Sequence, residues 1–195
     1  AAIKSKHVDE CYVSTEDKEI AMIAKTFGAK IIDRPQNLAL DDSTSEQVIL
    51  HCIESLTESG VDIDLIVLLQ PTSPLRTECD IDRCVDKYIE TKADCIISVY
   101  EPKHSAAKAY RQLDNGIIKG LFTDSAPYQA RQTLPRTFQP NGALYVFSKE
   151  SFLKSNQIPR DKVYPYQMPE SLSVDIDTKE DFEYAESLMR KKHEA

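Results

Sequence analysis

Hydrophobic positions along this chain follow two alternating periods, which predicts strands and helices in turn. Short apolar runs that end in polar residues occupy 10–15, 29–33, 64–70 and 94–101. After each of the first three runs, apolar residues recur at three- and four-residue spacing, as in an amphipathic helix. Strands that alternate with such helices predict a three-layer α/β domain with a mostly parallel, mixed sheet.

Local motifs predict where several of the helices begin and end. Thr44 with Gln47 and Thr77 with Asp80 have the spacing of a capping box, in which each side chain bonds the backbone N–H beside the other. Gly28 follows an apolar helical pattern and is a natural helix stop. The run 64–70 is apolar almost throughout, which is typical of a central parallel strand covered on both faces.

The regular alternation is interrupted between about 102 and 140. Asn115-Gly116 predicts a hairpin, and an exposed loop follows it. NGALYVFS, from residue 141, returns to the sheet, and LSVDID at 172–177 predicts a last strand. We therefore expect one domain over 1–195 that carries an excursion at 102–140.

The turn QPTSPLR contains two prolines, which restrict its backbone. A rigid turn of this kind can present Gln70, Thr72 and Ser73 as hydrogen-bonding groups for a polyol ligand. The alternative is a plain strand-to-helix connection in which Thr77 is the N-cap.

Asp175 and Asp177 carry the clearest chemical implication in the sequence. Residues two apart in a strand point to the same side, so their carboxylates would be presented together. Two adjacent negative charges are unfavourable unless a cation or a proton offsets them, and paired oxygen ligands suit Mg²⁺. The alternative is that Asp177 or Thr178 caps the next helix, with Asp181 completing a capping box.

A second polar cluster lies in DRPQNLALDDSTS. It places Arg34, Ser43 and Ser45 around a predicted helix N-terminus, which is a plausible nucleotide pocket. The alternative is a loop followed by an ordinary N-cap.

Composition excludes several classes of function. The formal net charge is −8, which argues against a dedicated nucleic-acid or anionic-membrane binder. No apolar run approaches the roughly 20 residues of a membrane span. The cysteine count is 5 with no CxxC pair, which suits a reducing cytoplasm better than a disulfide framework.

LLQPTSPLR, RPQNLALDDSTS, QARQTLPRTFQPNGALYVF and SVDIDTKEDF together resemble cytidylyltransferases that activate nine-carbon acidic sugars. The resemblance is to the CMP-N-acetylneuraminate (CMP-sialic acid) synthetase, or acylneuraminate cytidylyltransferase, family, and it covers essentially the whole chain. It implies a Rossmann-like nucleotidyltransferase fold. It also implies transfer of CMP from CTP to the anomeric hydroxyl of a 2-keto acid sugar, with release of pyrophosphate.

The same resemblance assigns roles to individual residues. Asp175 and Asp177 match the family's magnesium-binding aspartates. Positions that match its nucleotide and sugar contacts are Arg34, Ser43 and Ser45 for cytidine, and Gln70, Asn141, Tyr145, Lys108 and Arg131 for the sugar. Lys108 and Arg131 would reach the sugar carboxylate across the interface of a homodimer, formed by the 102–140 arm.

One departure from the family changes the expectation. Members begin with a strand and a glycine- and lysine-rich loop that cradles the triphosphate, and neither occurs in these residues. We therefore expect an N-terminally truncated synthetase that is inactive alone. The alternative is a non-catalytic nucleotide-sugar-binding or oligomerisation module. Legionaminic acid and the eight-carbon acid Kdo are alternative sugars.

Overall fold

The computed structural model describes residues 1–40 and 42–194, with side chains as far as residue 190. Its α-helices are α1 (Lys18–Thr26), α2 (Ser45–Glu58), α3 (Glu78–Thr91), α4 (Lys149–Leu153) and α5 (Lys179–Glu194). Its strands are β1 (Tyr12–Thr15), β2 (Lys30–Asp33), β3 (Leu65–Leu68), β4 (Cys95–Tyr100), β5 (Tyr110–Gln112), β6 (Ile118–Gly120), β7 (Gln139–Ser148) and β8 (Val163–Gln167).

The strands form parallel and antiparallel pairs, so the predicted mixed α/β character is confirmed. β1 and β2 form a parallel pair, with Tyr12 opposite Lys30. A four-stranded sheet has the order β3-β7-β4-β8, in which β3 and β7 are antiparallel. β5 and β6 form the hairpin predicted at Asn115-Gly116. The expectation that 64–70 is a central parallel strand is wrong, because β3 ends the strand order and pairs antiparallel with β7.

Two compact units divide the chain. The first unit consists of 1–69, 76–97 and 144–164, and the second consists of 70–75, 98–143 and the residues from 165 onward. The predicted excursion at 102–140 therefore lies in the second unit, together with the turn that follows β3.

A cluster of apolar side chains from several elements forms the core of the first unit. Ile49 and Ile53 on α2 pack with Cys95, Phe147 and Phe152. The two phenylalanine rings are stacked with their centroids 5.8 Å apart. The predicted capping box of Thr44 and Gln47 is present at the start of α2, and it fixes the end of the helix that delivers this apolar face.

Helix α1 matches its predicted span but not the packing that its apolar pattern indicates. None of its residues is buried, and Phe27 at its C-terminal end is 78% exposed. Gly28 ends the helix with φ +87°, as predicted. The apolar pattern therefore predicted the helix correctly, but the apolar side chains of α1 are not buried against another part of the described chain.

The predicted strand at 172–177 is wrong. A 3₁₀ helix occupies Glu170–Leu172, and the residues from 173 to 178 have no strand assignment. The last strand is instead β8, Val163–Gln167, whose central Pro165 weakens the sequence signal because proline is uncommon inside sheets.

Candidate functional site

The turn after β3 lies in the second unit and is held by buried hydrogen bonds. The backbone N–H of Ser73 donates to the Gln70 carbonyl at 3.3 Å. The buried Ser73 hydroxyl donates to the Asn141 carbonyl at 2.7 Å. Both bonds hold the turn in place, in addition to the restriction that its two prolines impose on the backbone.

Asn141 lies at the centre of a buried polar network in the same unit. The residue is 2% exposed. The Oδ1 atom accepts hydrogen bonds from the Ser98 hydroxyl at 2.6 Å and the Ala143 backbone N–H at 3.2 Å. The Nδ2 group donates to the Ser173 hydroxyl at 2.9 Å and contacts the Met168 sulfur at 3.4 Å. Its predicted contact with the sugar therefore competes with protein partners at both ends of the amide.

Gly142 brings the backbone of β7 directly against the side chain of Gln70. Its φ is +69°, a conformation that favours glycine. A Cβ at this position would collide with Gln70 Oε1 and lie 2.9 Å from the Ser73 hydroxyl. The dipeptide Asn141-Gly142 is a recognisable turn signal, yet only the fold reveals that this glycine makes room for the Gln70 carboxamide.

Asp175 and Asp177 are both exposed, on either side of the partly buried Ile176. The Ile176 N–H donates to the Thr72 carbonyl at 2.9 Å, which attaches this segment to the turn after β3. The structure therefore brings the predicted metal ligands and the predicted sugar-binding turn together within the second unit.

The capping role beside these aspartates is taken by Asp181. Its Oδ2 accepts from the Thr178 N–H at 2.9 Å, the Thr178 hydroxyl at 2.8 Å and the Asp177 N–H at 3.3 Å. The hydrogen bonds from Thr178, first from its side chain and then from its backbone, lower the pKa of the Asp181 carboxyl. The capping box predicted for Thr178 and Asp181 is thus present without using the side chains of Asp175 and Asp177.

The two remaining carboxylates are of a donor type that suits a magnesium ion, although the strand expected to align them is absent. No group of three or more histidine, cysteine, aspartate or glutamate side chains forms a metal cluster in the described part of the chain. A pair of exposed carboxylates is nevertheless a suitable donor set for Mg²⁺, which commonly takes one or two carboxylates, several waters and substrate phosphates. Asp175 and Asp177 supply such a pair.

Arg34 lies in the first unit, directly after β2, and is held by β1. Its Nε donates to the Ser14 hydroxyl at 3.2 Å, and its Nη2 donates to the Ser14 carbonyl at 2.5 Å. Glu16 lies 3.9 Å from Arg34 Nη1. Cys52 of α2 is close to this group, and burial raises the pKa of its thiol while hydrogen bonding to Ser14 opposes the rise. The sequence singled out Arg34 but gave no signal that Ser14 orients it.

The predicted cytidine-contacting serines flank the N-cap of α2. The Ser43 hydroxyl accepts from the Leu40 N–H at 3.2 Å and donates to the Asn37 carbonyl at 3.4 Å. Thr44 is the N-cap, and Ser45 is exposed at the first position of the helix. Ser43 is therefore part of the loop's own support, whereas Ser45 is open to solvent.

The other predicted sugar contacts are distributed over both units. Tyr145 belongs to the first unit, pairs with Leu68 in the sheet and packs against the core cluster. Lys108 and Arg131 are exposed residues of the second unit. Arg131 lines a shallow pocket together with Glu101 and Arg136, and Arg136 forms an ion pair with Glu101 at 2.7 Å.

A family model and individual relatives all identify this chain as similar to cytidylyltransferases. The family model described as cytidylyltransferase matches residues 1–194. N-acylneuraminate cytidylyltransferase of Escherichia coli O18:K1:H7 is 30% identical over 195 residues, covering 99% of this chain and 45% of the relative. Pseudaminic acid cytidylyltransferase of Campylobacter jejuni serotype O:2 (strain ATCC 700819 / NCTC 11168) is 27% identical, covering 100% of this chain and 84% of the relative. The chain thus spans less than half the length of the first of these proteins.

A solved structure supports the fold. The synthetase of CMP-2-keto-3-deoxy-manno-octonic acid, complexed with CTP, aligns with a TM-score of 0.66 at 17% identity. The alignment covers 98% of this chain and 85% of that one. The predicted Rossmann-like nucleotidyltransferase fold is therefore confirmed. Within residues 1–40 and 42–194, no helix has the length and apolarity needed to cross a bilayer.

Proposed function

The chain belongs to the cytidylyltransferase family, and on that premise we propose that it transfers CMP from CTP to a nine-carbon acidic 2-keto sugar of the sialic acid type. The anomeric hydroxyl of the sugar attacks the α-phosphorus of CTP and loses its proton. A phosphorus–oxygen bond forms to the sugar, the bond to the bridging oxygen of the β-phosphate breaks, and pyrophosphate leaves.

The observation that carries this proposal is the attachment of Asp175 and Asp177 to the turn after β3. The hydrogen bond from Ile176 N–H to the Thr72 carbonyl attaches the segment of the exposed Asp175 and Asp177 to the turn that contains Gln70, which supports the proposal. An enzyme that joins a sugar to a phosphate benefits from binding groups held near one another, because alignment of the two reactants supplies much of the rate.

Asp175 and Asp177 would hold Mg²⁺, and the bound ion would offset charge on the phosphate oxygens. The remaining functions belong to the chain's own side chains. Gln70 can donate to and accept from sugar hydroxyls with one carboxamide, and Gly142 allows that carboxamide to lie close to the backbone. Arg34, oriented by both the hydroxyl and the carbonyl of Ser14, binds the nucleotide in this proposal.

We further propose that the enzyme acts as a cytoplasmic homodimer. The 102–140 arm exposes Ile117, Phe122 and Tyr128 to solvent, and contact with a partner would bury such apolar side chains. Lys108 and Arg131 on the same arm would then approach the sugar carboxylate of the partner subunit. The five cysteines of this chain are free thiols, which is consistent with a reducing compartment such as the cytoplasm.

The test is pyrophosphate release by the full-length protein with CTP, Mg²⁺ and N-acetylneuraminate. Parallel reactions use pseudaminic acid, legionaminic acid and Kdo in place of N-acetylneuraminate, and ATP in place of CTP. We expect the highest kcat/KM for CTP with a nine-carbon acid. A preference for Kdo would reassign the sugar. No release with any of the sugars would favour a non-catalytic nucleotide-sugar-binding or oligomerisation module.

A further inference from the structure

The buried network around Asn141 joins three separate parts of the second unit. Ser98 is on β4, Ser73 is in the turn that presents Gln70, and Ser173 precedes Asp175 by two residues. Asn141 contacts all three, through its Oδ1, its backbone carbonyl and its Nδ2 respectively. A single residue thus supports both the sugar-binding turn and the aspartate segment.

We infer that Asn141 is a positioning residue, which holds the Gln70 turn and the Asp175–Asp177 segment in fixed positions relative to each other. Its side chain does not bind the sugar. This inference rests on the proposed cytidylyltransferase function. Two observations carry it. Asn141 is 2% exposed, and both ends of its side-chain amide are engaged by protein groups, so little of the amide is left to meet a ligand.

The connection between the two supported segments also runs through the backbone. The Ile176 N–H bonds to the Thr72 carbonyl, one residue before Ser73. Asn141 accepts from Ser73 on one side of this bond and donates to Ser173 on the other. Loss of the Asn141 side chain would therefore loosen the segment around Ile176 and change the position of both carboxylates relative to Gln70.

Ser98 separates a positioning role from a binding role. It is 0% exposed and donates to Asn141 Oδ1, so it cannot touch a sugar in this fold. If Asn141 positions the site, Ser98→Ala should reproduce the effects of Asn141→Ala in weaker form. If Asn141 binds the sugar, Ser98→Ala should leave sugar use unchanged.

The experiment compares Ser98→Ala and Asn141→Ala with Ser5→Ala in the full-length protein. Ser5 is a matched control in the first unit, since it is also buried and donates to a side chain, Asp82, at 2.6 Å. Three quantities are measured: the exchange rate of the Ile176 amide, the KM for N-acetylneuraminate, and the Mg²⁺ concentration that gives half-maximal rate.

We expect Ser98→Ala to accelerate Ile176 exchange about tenfold, as loss of one buried hydrogen bond would allow. We also expect it to raise both the sugar KM and the half-saturating Mg²⁺ concentration, and Asn141→Ala to raise them further. Ser5→Ala should change none of the three. An increase in sugar KM for Asn141→Ala alone would overturn the inference, and so would equal effects in the Ser5→Ala control.

Failure of the proposed function would be distinguishable from failure of this inference. If the wild-type protein releases no pyrophosphate with any sugar, the amide exchange comparison still applies. Faster Ile176 exchange in Ser98→Ala, but not in Ser5→Ala, would then support the positioning role of Asn141 even though the protein does not transfer CMP. An unchanged exchange rate of the Ile176 amide in both Ser98→Ala and Asn141→Ala would overturn the positioning role itself.

Discussion

Replacement of Gly142 by alanine tests whether the backbone of β7 sets the position of Gln70. Two costs can be separated at this position. The first is conformational: φ is +69°, and a left-handed conformation costs a non-glycine residue about 1–2 kcal/mol. The second is steric, because the new Cβ would collide with Gln70 Oε1 and lie 2.9 Å from the Ser73 hydroxyl.

The steric cost has a functional consequence. Crowding of a well-packed site typically costs about 1–3 kcal/mol, and the Gln70 side chain can relieve part of it by moving away. Such a movement withdraws the carboxamide from its proposed position beside the sugar. A displacement of about 1 Å can reduce the rate about a hundredfold when it misaligns a reactant. We therefore expect Gly142→Ala to lower kcat/KM for the sugar strongly, with a smaller effect on the KM for CTP.

Gly60→Ala is the matched control. Gly60 has φ +79°, and a Cβ there would meet no atom within 4 Å. It carries the conformational cost alone. The assays are thermal unfolding and pyrophosphate release with varied sugar at saturating CTP. If both variants lose equal stability and keep equal kcat/KM for the sugar, Gly142 does not position Gln70.

Further predictions concern the aspartates and the core. Asp175→Ala and Asp177→Ala should each lower the rate of pyrophosphate release by orders of magnitude while Tm changes little; unaltered turnover in either variant would remove that residue from the metal role. Asp181→Asn should lower Tm at pH 7 and keep turnover. Because the hydrogen bonds from Thr178 lower the folded pKa of Asp181, its stabilisation is present above its unfolded pKa and lost as pH falls through the folded value. The unfolded pKa of an aspartate is about 4. The difference in Tm between Asp181→Asn and wild type should therefore shrink as the pH falls from 6 to 3, which a series of melting curves measures. Phe152→Ala should reduce the free energy of unfolding by about 3–5 kcal/mol in urea titrations, and a loss below about 1 kcal/mol would contradict its place in the core.

Features encoded by neighbouring residues were predictable from the sequence. The capping boxes at Thr44 and Thr77 are both present, because their partners lie three residues away and need no tertiary information. The hairpin at Asn115-Gly116 is local in the same sense. The pairing direction of β3 depends on which distant strand lies beside it. The apolar pattern of 64–70 does not indicate which strand that is.

The candidate site shows the same division. Asp175 and Asp177 were singled out because carboxylates two apart in a strand would face the same side, but 172–177 forms no strand, and their metal role stays a prediction. Ser98 carried no signal, since a serine inside a strand is ordinary, and its importance comes from Asn141, 43 positions away along the chain. Residues that support a site through buried contacts become visible only when the fold brings them together.

The bond between Ile176 and Thr72 has an evolutionary implication. It joins backbone to backbone, so it does not depend on which side chain residue 72 carries. If the turn contacts the sugar as proposed, mutations that alter its side chains can therefore change which sugar is accepted without displacing the aspartate segment. Under the proposed function, such a scaffold would allow substrate preference to diversify among descendants while the phosphate chemistry is inherited unchanged.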